Sequence, residues 1–336
     1  MRLKIIFALF PLICAGTTVR ASAWQQDSLG AGFEMRQVAQ PDDYSGRVVC
    51  TLVRYMADSV CDTDKGVLYV HGFNDYFFQK ELALNFASHC FDFYAVDLRK
   101  YGRSILPGQK MFEVRNFKEY FEDIDSALCD MQRAGIKDIV LMGHSTGGLI
   151  AAYYMQTHPQ APVKALVLNS PFLDWNLGSV EPFVPLVSAA GAVFKNMKIK
   201  QSADGVYAES IDRNYHGEWD YNRQWKRHDS PDVTVGWVRA VDNAQKSLKD
   251  NAYKIGVPVL VMYSDCSYSG KEWTEAAQSS DAVLDVADIK KYGARLGKDV
   301  TLAKVRGGLH DLILSAKPVR NSVYAYIFDW LEKQDL

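Results

Sequence analysis

Apolar, largely β-branched runs recur along the chain at residues 48–54, 66–70, 91–96, 139–142, 163–168, 257–263 and 300–305. Between them lie stretches with helical patterning, at residues 79–90, 117–133, 147–158, 286–296 and 319–333. Continuous apolar strands alternating with amphipathic helices are the signature of a mostly parallel sheet buried on both faces, hence an α/β fold with helices flanking the sheet. The alternation is regular up to Asn169 and then stops: from Pro171 to about Ile255 no buried-strand run occurs. An insertion there lies above the carboxyl ends of the strands, where open α/β sheets bind ligands, so a mostly helical cap is expected over residues 171–255. Its aromatic residues, among them Trp175, Tyr207, Trp219, Trp225 and Trp237, are expected mainly to fill a small core of the cap's own.

The first residues pattern differently. Arg2 and Lys4 precede an apolar run over residues 5–15, and Ala21-Ser22-Ala23 offers small residues where a signal peptidase reads. The run is well short of the roughly 20 residues a membrane span needs. A cleaved signal over residues 1–23 is therefore expected, with export to a periplasm or beyond the cell and the mature core at 24–170 and 256–336. Bulky Ile13 argues against a lipoprotein signal at Cys14. Loss of Arg2, Lys4 and Arg20 takes the formal charge from −2 to −5, which with the lack of a basic patch argues against a nucleic-acid partner. Export permits disulfides among Cys50, Cys61, Cys90, Cys129 and Cys266, and a Cys50–Cys61 bridge clamping a hairpin is the favoured pairing.

The chemistry centres on Gly143-His144-Ser145-Thr146-Gly147-Gly148, between a strand run and a helical run. Glycines two residues either side of a serine remove the Cβ atoms that would clash in a sharp strand-to-helix turn, leaving the serine strained and exposed as a nucleophile. A serine hydroxyl needs a base within hydrogen-bond reach and a carboxylate behind that base. Elbow serines take their partners in the order serine, acid, histidine. His310, in Gly308-Leu309-His310-Asp311, is the one histidine after the last strand run. His144, beside the serine, is expected to point away along the elbow. Thr146 N–H is one expected oxyanion donor, and Phe73 N–H, in His71-Gly72-Phe73-Asn74-Asp75 after the 66–70 run, is the other. Three carboxylates compete as the acid: Asp265 nearest a strand end, then Asp281 and Asp285 before a helix.

These residues resemble the α/β-hydrolase superfamily, in particular its branch of monoacylglycerol lipases, lysophospholipases and serine aminopeptidases. The resemblance rests on His71-Gly72, Asp97-Leu98-Arg99-Lys100-Tyr101-Gly102-Arg103-Ser104, the elbow, Ser170-Pro171 and Gly308-Leu309-His310. It implies an acid opening an Asp-x-x-Val/Leu-Asp turn about thirty residues before the histidine. Asp281 matches that and Asp265 does not, although the insertion at 266–280 keeps Asp265 as the alternative. It further implies a serine hydrolase cleaving small acyl esters, such as acylglycerols, lysophospholipids or short esters, with membrane lipid as a possible source. An aminopeptidase or amidase on the same triad is the alternative within the branch. A non-catalytic binding protein on a hydrolase scaffold would lack a triad member, whereas all are present. No cofactor or metal is implied, since His-Glu-x-x-His, Gly-x-Gly-x-x-Gly after a strand and a Walker-type loop are all missing from the sequence.

Overall fold

A computed structural model of the chain describes residues 21–56, 61, 63–200, 205–229 and 231–336. Of the signal expected over residues 1–23, residues 1–20 lie outside the described residues. The strands are β1 Gln25–Gln26, β2 Phe33–Asp43, β3 Gly46–Tyr55, β4 Lys65–Val70, β5 Asp92–Asp97, β6 Asp138–His144, β7 Val163–Asn169, β8 Lys198–Ile199, β9 Val233–Thr234, β10 Val259–Ser264 and β11 Val300–Val305. The α-helices are α1 Lys80–Ser88, α2 Phe121–Arg133, α3 Thr146–Thr157, α4 Val184–Ala190, α5 Val206–Ile211, α6 Val235–Asp250, α7 Val286–Gly293 and α8 Lys317–Glu332.

Among the described residues nine strands form one sheet in the order β1-β2-β3-β5-β4-β6-β7-β10-β11, parallel from β5 through to β11. Alternate residues point to opposite faces. Ile139 and Leu141 of β6 join a core with α2, α3 and α6, while Val140 and Met142 join a second core with α1 and α8. Both faces are covered, which is why these strands read as unbroken apolar runs. β2 gave no such signal because it lies near the sheet's margin, between β1 and β3, and few of its residues are buried.

Between β7 and β10 the chain leaves the main sheet and forms α4, α5, α6 and the two-stranded β8–β9 pair. Its aromatic residues do not build a separate core, contrary to expectation. Trp237 packs into the core shared with α2 and α3, and Tyr221, Trp219 and Trp225 pack around Tyr76, Phe78 and Leu309. α4 and α5 are only seven and six residues long, and the 16-residue α6 buries its apolar face in the core shared with α3, so the insertion shares the surface beneath it.

The disulfide also differs from expectation. Cys61 pairs with Cys90, 29 residues away, and Cys50 is a free, fully buried thiol. β3 turns Cys50 inward, where Gln40 Nε2 contacts its sulfur at 3.1 Å. Cys61 precedes β4 and Cys90 precedes β5, and these neighbouring parallel strands bring their leading ends together. Among the described residues no helix is long and apolar enough to cross a membrane. A non-reduced digest should release a linked Cys61–Cys90 peptide, and Cys61→Ser should lower stability by about 2–4 kcal/mol in denaturant titration. Cys50, whose thiol burial raises well above its usual pKa, should be alkylated only after unfolding.

Candidate active site

β6 ends at His144 and α3 begins at Thr146, so a single residue makes the turn between them. Ser145 makes it with φ 51° and ψ −118°, a conformation side chains rarely adopt. Two contacts force it. A Cβ on Gly147 would lie 2.2 Å from the His71 carbonyl oxygen, and one on Gly143 would lie 2.6 Å from that of Gly147. The strained turn is held by hydrogen bonds from Ser145 N–H to the Asn169 carbonyl and from Leu149 and Phe172 N–H to the Ser145 carbonyl, each 3.0 Å. Ser145 as a whole is only 8 % exposed, not open as expected, because its backbone is bonded on both sides and the Gly72 loop lies against its Cβ.

Three side chains distant in sequence meet here. His310 Nδ1 lies 2.9 Å from Asp281 Oδ2, and His310 Nε2 lies 2.9 Å from Ser145 Oγ. A carboxylate only accepts, so Nδ1 carries the hydrogen and Nε2 presents a lone pair to the serine hydroxyl. Asp281 is fully buried and its other oxygen accepts from Val283 and Leu284 N–H at 2.9 and 2.8 Å. The competing carboxylates are placed elsewhere. Asp265 Oδ1 accepts from Gly307 N–H at 2.9 Å, steadying the loop that carries His310, and Asp285 caps α7 through Ala287 N–H. Thr146 opens α3, whose first N–H groups lack intrahelical acceptors. Phe73 follows Gly72, where a Cβ would stand 3.1 Å from Ser145 Cβ.

His144 does not point away from the site. Its buried ring lies 4.9 Å from that of His310, with Nδ1 donating to the Asn169 carbonyl at 3.2 Å. Burial holds its pKa below the usual imidazole value, so it stays neutral. Around it is a buried polar group that the sequence did not announce. Asp311 accepts from Asn169 Nδ2 at 2.6 Å and stands 4.0 Å from His144 Nε2, and the Lys226 ammonium of the insertion lies 3.1 Å from Asp75. Asp75, His144 and Asp311 each offer an atom within 4.8 Å of the others, a spacing that a metal ion could span, but the ammonium already supplies a positive charge there. Tyr207, also from the insertion, sets its ring edge-on to His310 at 5.4 Å. Asp75 and Asp311 adjoin residues read from motifs; Lys226 and Tyr207 sit in no motif and become neighbours only through the fold.

A family model described as "Hydrolase_4: Serine aminopeptidase, S33" matches residues 62–316. The fold is similar to that of a monoacylglycerol lipase from Paleococcus ferrophilus, with a TM-score of 0.61 at 19% identity over 84% of this chain and 99% of that one. It is similar too to a soluble variant of monoglyceride lipase from Saccharomyces cerevisiae, with TM-score 0.61, 17% identity and coverage of 88% and 94%. An esterase from Thermogutta terrifontis aligns with TM-score 0.54 at 17% identity, over 89% of this chain and 98% of that one. At these identities the likeness is one of fold. No curated protein matches the chain significantly.

Because Gly147 has backbone oxygens at van der Waals overlap with any Cβ, Gly147→Ala should cost roughly 3 kcal/mol or fail to fold, measurable by thermal melting.

Proposed function

The chain belongs to the serine aminopeptidase family of the α/β-hydrolase superfamily, and from that membership and the geometry above we propose that it is a serine ester hydrolase acting through an acyl-enzyme. The observation that carries the reading is the chain of two 2.9 Å contacts joining Ser145, His310 and Asp281. Ser145 Oγ attacks the ester carbonyl carbon while His310 Nε2 takes its proton, and Asp281 stabilises the imidazolium through Nδ1–H. The carbonyl oxygen becomes an oxyanion held by the N–H groups of Phe73 and Thr146. Collapse breaks the ester C–O bond, and His310 gives its proton to the departing alkoxide, leaving acyl-serine and an alcohol. Water then adds with His310 again as base, and the second collapse returns the carboxylic acid and free Ser145.

Residues 171–255 act as a cap over this centre. Phe73 packs on Phe112 and Trp237, with Trp175 beyond, which supplies apolar surface suited to an acyl chain. The lipase and esterase names of the structural neighbours support acyl esters, with acylglycerols or lysophospholipids as the substrate class. The family description raises the amide alternative. An aminopeptidase needs a free carboxylate for the substrate amine; of the cap carboxylates Glu181, Glu209, Glu218 and Asp220, the last two are engaged by Arg320 and Arg213. Export is part of the proposal, supported by the Cys61–Cys90 disulfide and by the apolar run at residues 5–15.

Steady-state rates on p-nitrophenyl acyl esters should exceed those on aminoacyl p-nitroanilides, and the reverse preference would overturn the ester reading. Ser145→Ala and His310→Ala should each lower kcat by about 10⁴-fold or more without loss of folded protein. Asp281→Asn should cost about 10³–10⁴-fold, since an amide cannot hold the imidazole in the same tautomer. Asp265→Asn keeps an oxygen for Gly307 N–H and should cost less than about tenfold, so the opposite ranking would reassign the acid.

A further inference from the structure

The loop carrying Phe73 is held at both ends by the body of the sheet. His71 Nε2 accepts from Leu98 N–H at 3.1 Å, and Phe77 N–H donates to Asp97 Oδ1 at 2.9 Å. Its middle is held differently, by residues 222–227 of the insertion. Asn74, at φ 51°, donates from Nδ2 to the Arg227 carbonyl at 2.7 Å and accepts Arg227 N–H at Oδ1 at 2.9 Å, a reciprocal pair. Asp75 meets Lys226 Nζ at 3.1 Å, the two side chains 1% and 8% exposed. The Tyr76 hydroxyl accepts from Asn222 N–H at 2.7 Å, and its ring meets Trp225 edge-on at 5.2 Å.

Three consecutive loop residues thus each engage one six-residue stretch of the insertion, Asn74 and Tyr76 by hydrogen bonds and Asp75 by an ion pair, immediately after the residue whose N–H faces the developing charge in the reaction above. We propose that residues 222–227 are a positioning strap, and that Lys226, acting through Asp75, sets the Phe73 N–H for the oxyanion. The inference rests on the serine-ester reading and deepens it: the insertion completes the site as well as covering it. The reason lies in charge. Without the ammonium, Asp75 is a buried carboxylate close to Asp311 and neutral His144, and the loop must shift to hydrate it. Displacement of an oxyanion donor by even about 1 Å weakens transition-state binding far more than substrate binding.

The test uses the full chain with Lys226→Met, Lys226→Arg and Tyr76→Phe, each confirmed folded by thermal melting, p-nitrophenyl butyrate as substrate and a trifluoromethyl ketone as a tetrahedral-adduct inhibitor. Lys226→Met should lower kcat roughly ten- to a hundredfold with KM within about threefold, and should weaken the ketone by the same factor as kcat/KM. Lys226→Arg, which keeps the charge, should recover most of the loss. Tyr76→Phe should lose kcat several-fold, and it carries the test where Lys226→Met does not fold. Folded variants with wild-type kcat and ketone affinity, or a loss confined to KM, overturn the strap while leaving the enzyme reading intact. A wild-type protein that neither turns over the ester nor takes a fluorophosphonate at Ser145 removes the reading on which the strap depends.

Discussion

The close approach of β4's end to the start of α3 is the constraint from which the site follows. Gly147 lies against the carbonyls of Val70 and His71, a contact that no side chain permits, and that contact drives Ser145 to φ 51°. The strain, of order 1–3 kcal/mol, is tolerated because the turn is fixed on both sides by β7 and α3. Several consequences share this one cause. The Ser145 side chain is set at the carboxyl end of β6, the Gly72 loop is brought against its Cβ, and α3 begins at the very next residue, Thr146.

A frame of buried charge holds the loops around that turn. Arg103 bonds Asp27 at 2.6 Å, Asp97 at 2.8 Å and the Phe77 carbonyl at 3.0 Å, while Arg99 forks onto Asp123. Pairs this deep add little net stability compared with apolar packing, but removing one partner strands a charge at a cost of about 3–5 kcal/mol. They therefore act as registers, and each loop has one seat that satisfies its charges. The Asp97 to Ser104 stretch, read at first only as a point of resemblance, is the core of this frame. It seats the rear of the loop whose front approaches Ser145.

What the sequence disclosed divides along physical lines. Strands buried on both faces, the elbow glycines and a histidine after the last strand were legible because each leaves a local trace: a run, a spacing or a position. The Cys61–Cys90 pairing left none, since it depends on parallel neighbours 29 residues apart, and the hairpin logic that favoured Cys50 overlooked which face of β3 that residue occupies. β2 was invisible because a marginal strand shows polar residues on both faces. Lys226 and Tyr207 reach the centre only through the path of the insertion, and nothing at residues 205–227 spells that path. His144 was misread for a related reason: its direction is set by the Asn169 carbonyl on the neighbouring strand, 25 residues on.

The two carboxylates after β10 show how one loop separates duties that a shorter loop would merge. His310 rides on the chain after β11, three strand positions from β6 and so about 14 Å across the sheet from the elbow. Its loop must be both steady and reaching. Asp265, just past the strand end, takes Gly307 N–H and steadies the loop's root. The chain then makes an excursion over residues 266–280 and returns beside itself: Asp281 N–H donates to the Cys266 carbonyl at 2.9 Å and Tyr268 N–H to the Asp281 carbonyl at 2.7 Å. This short parallel bridge sets Asp281 beside the chain leaving β10, with two backbone donors on one oxygen and the histidine on the other. Length in sequence therefore says little about distance from the site. The excursion shifts the acid forward while leaving the steadying contact where it was.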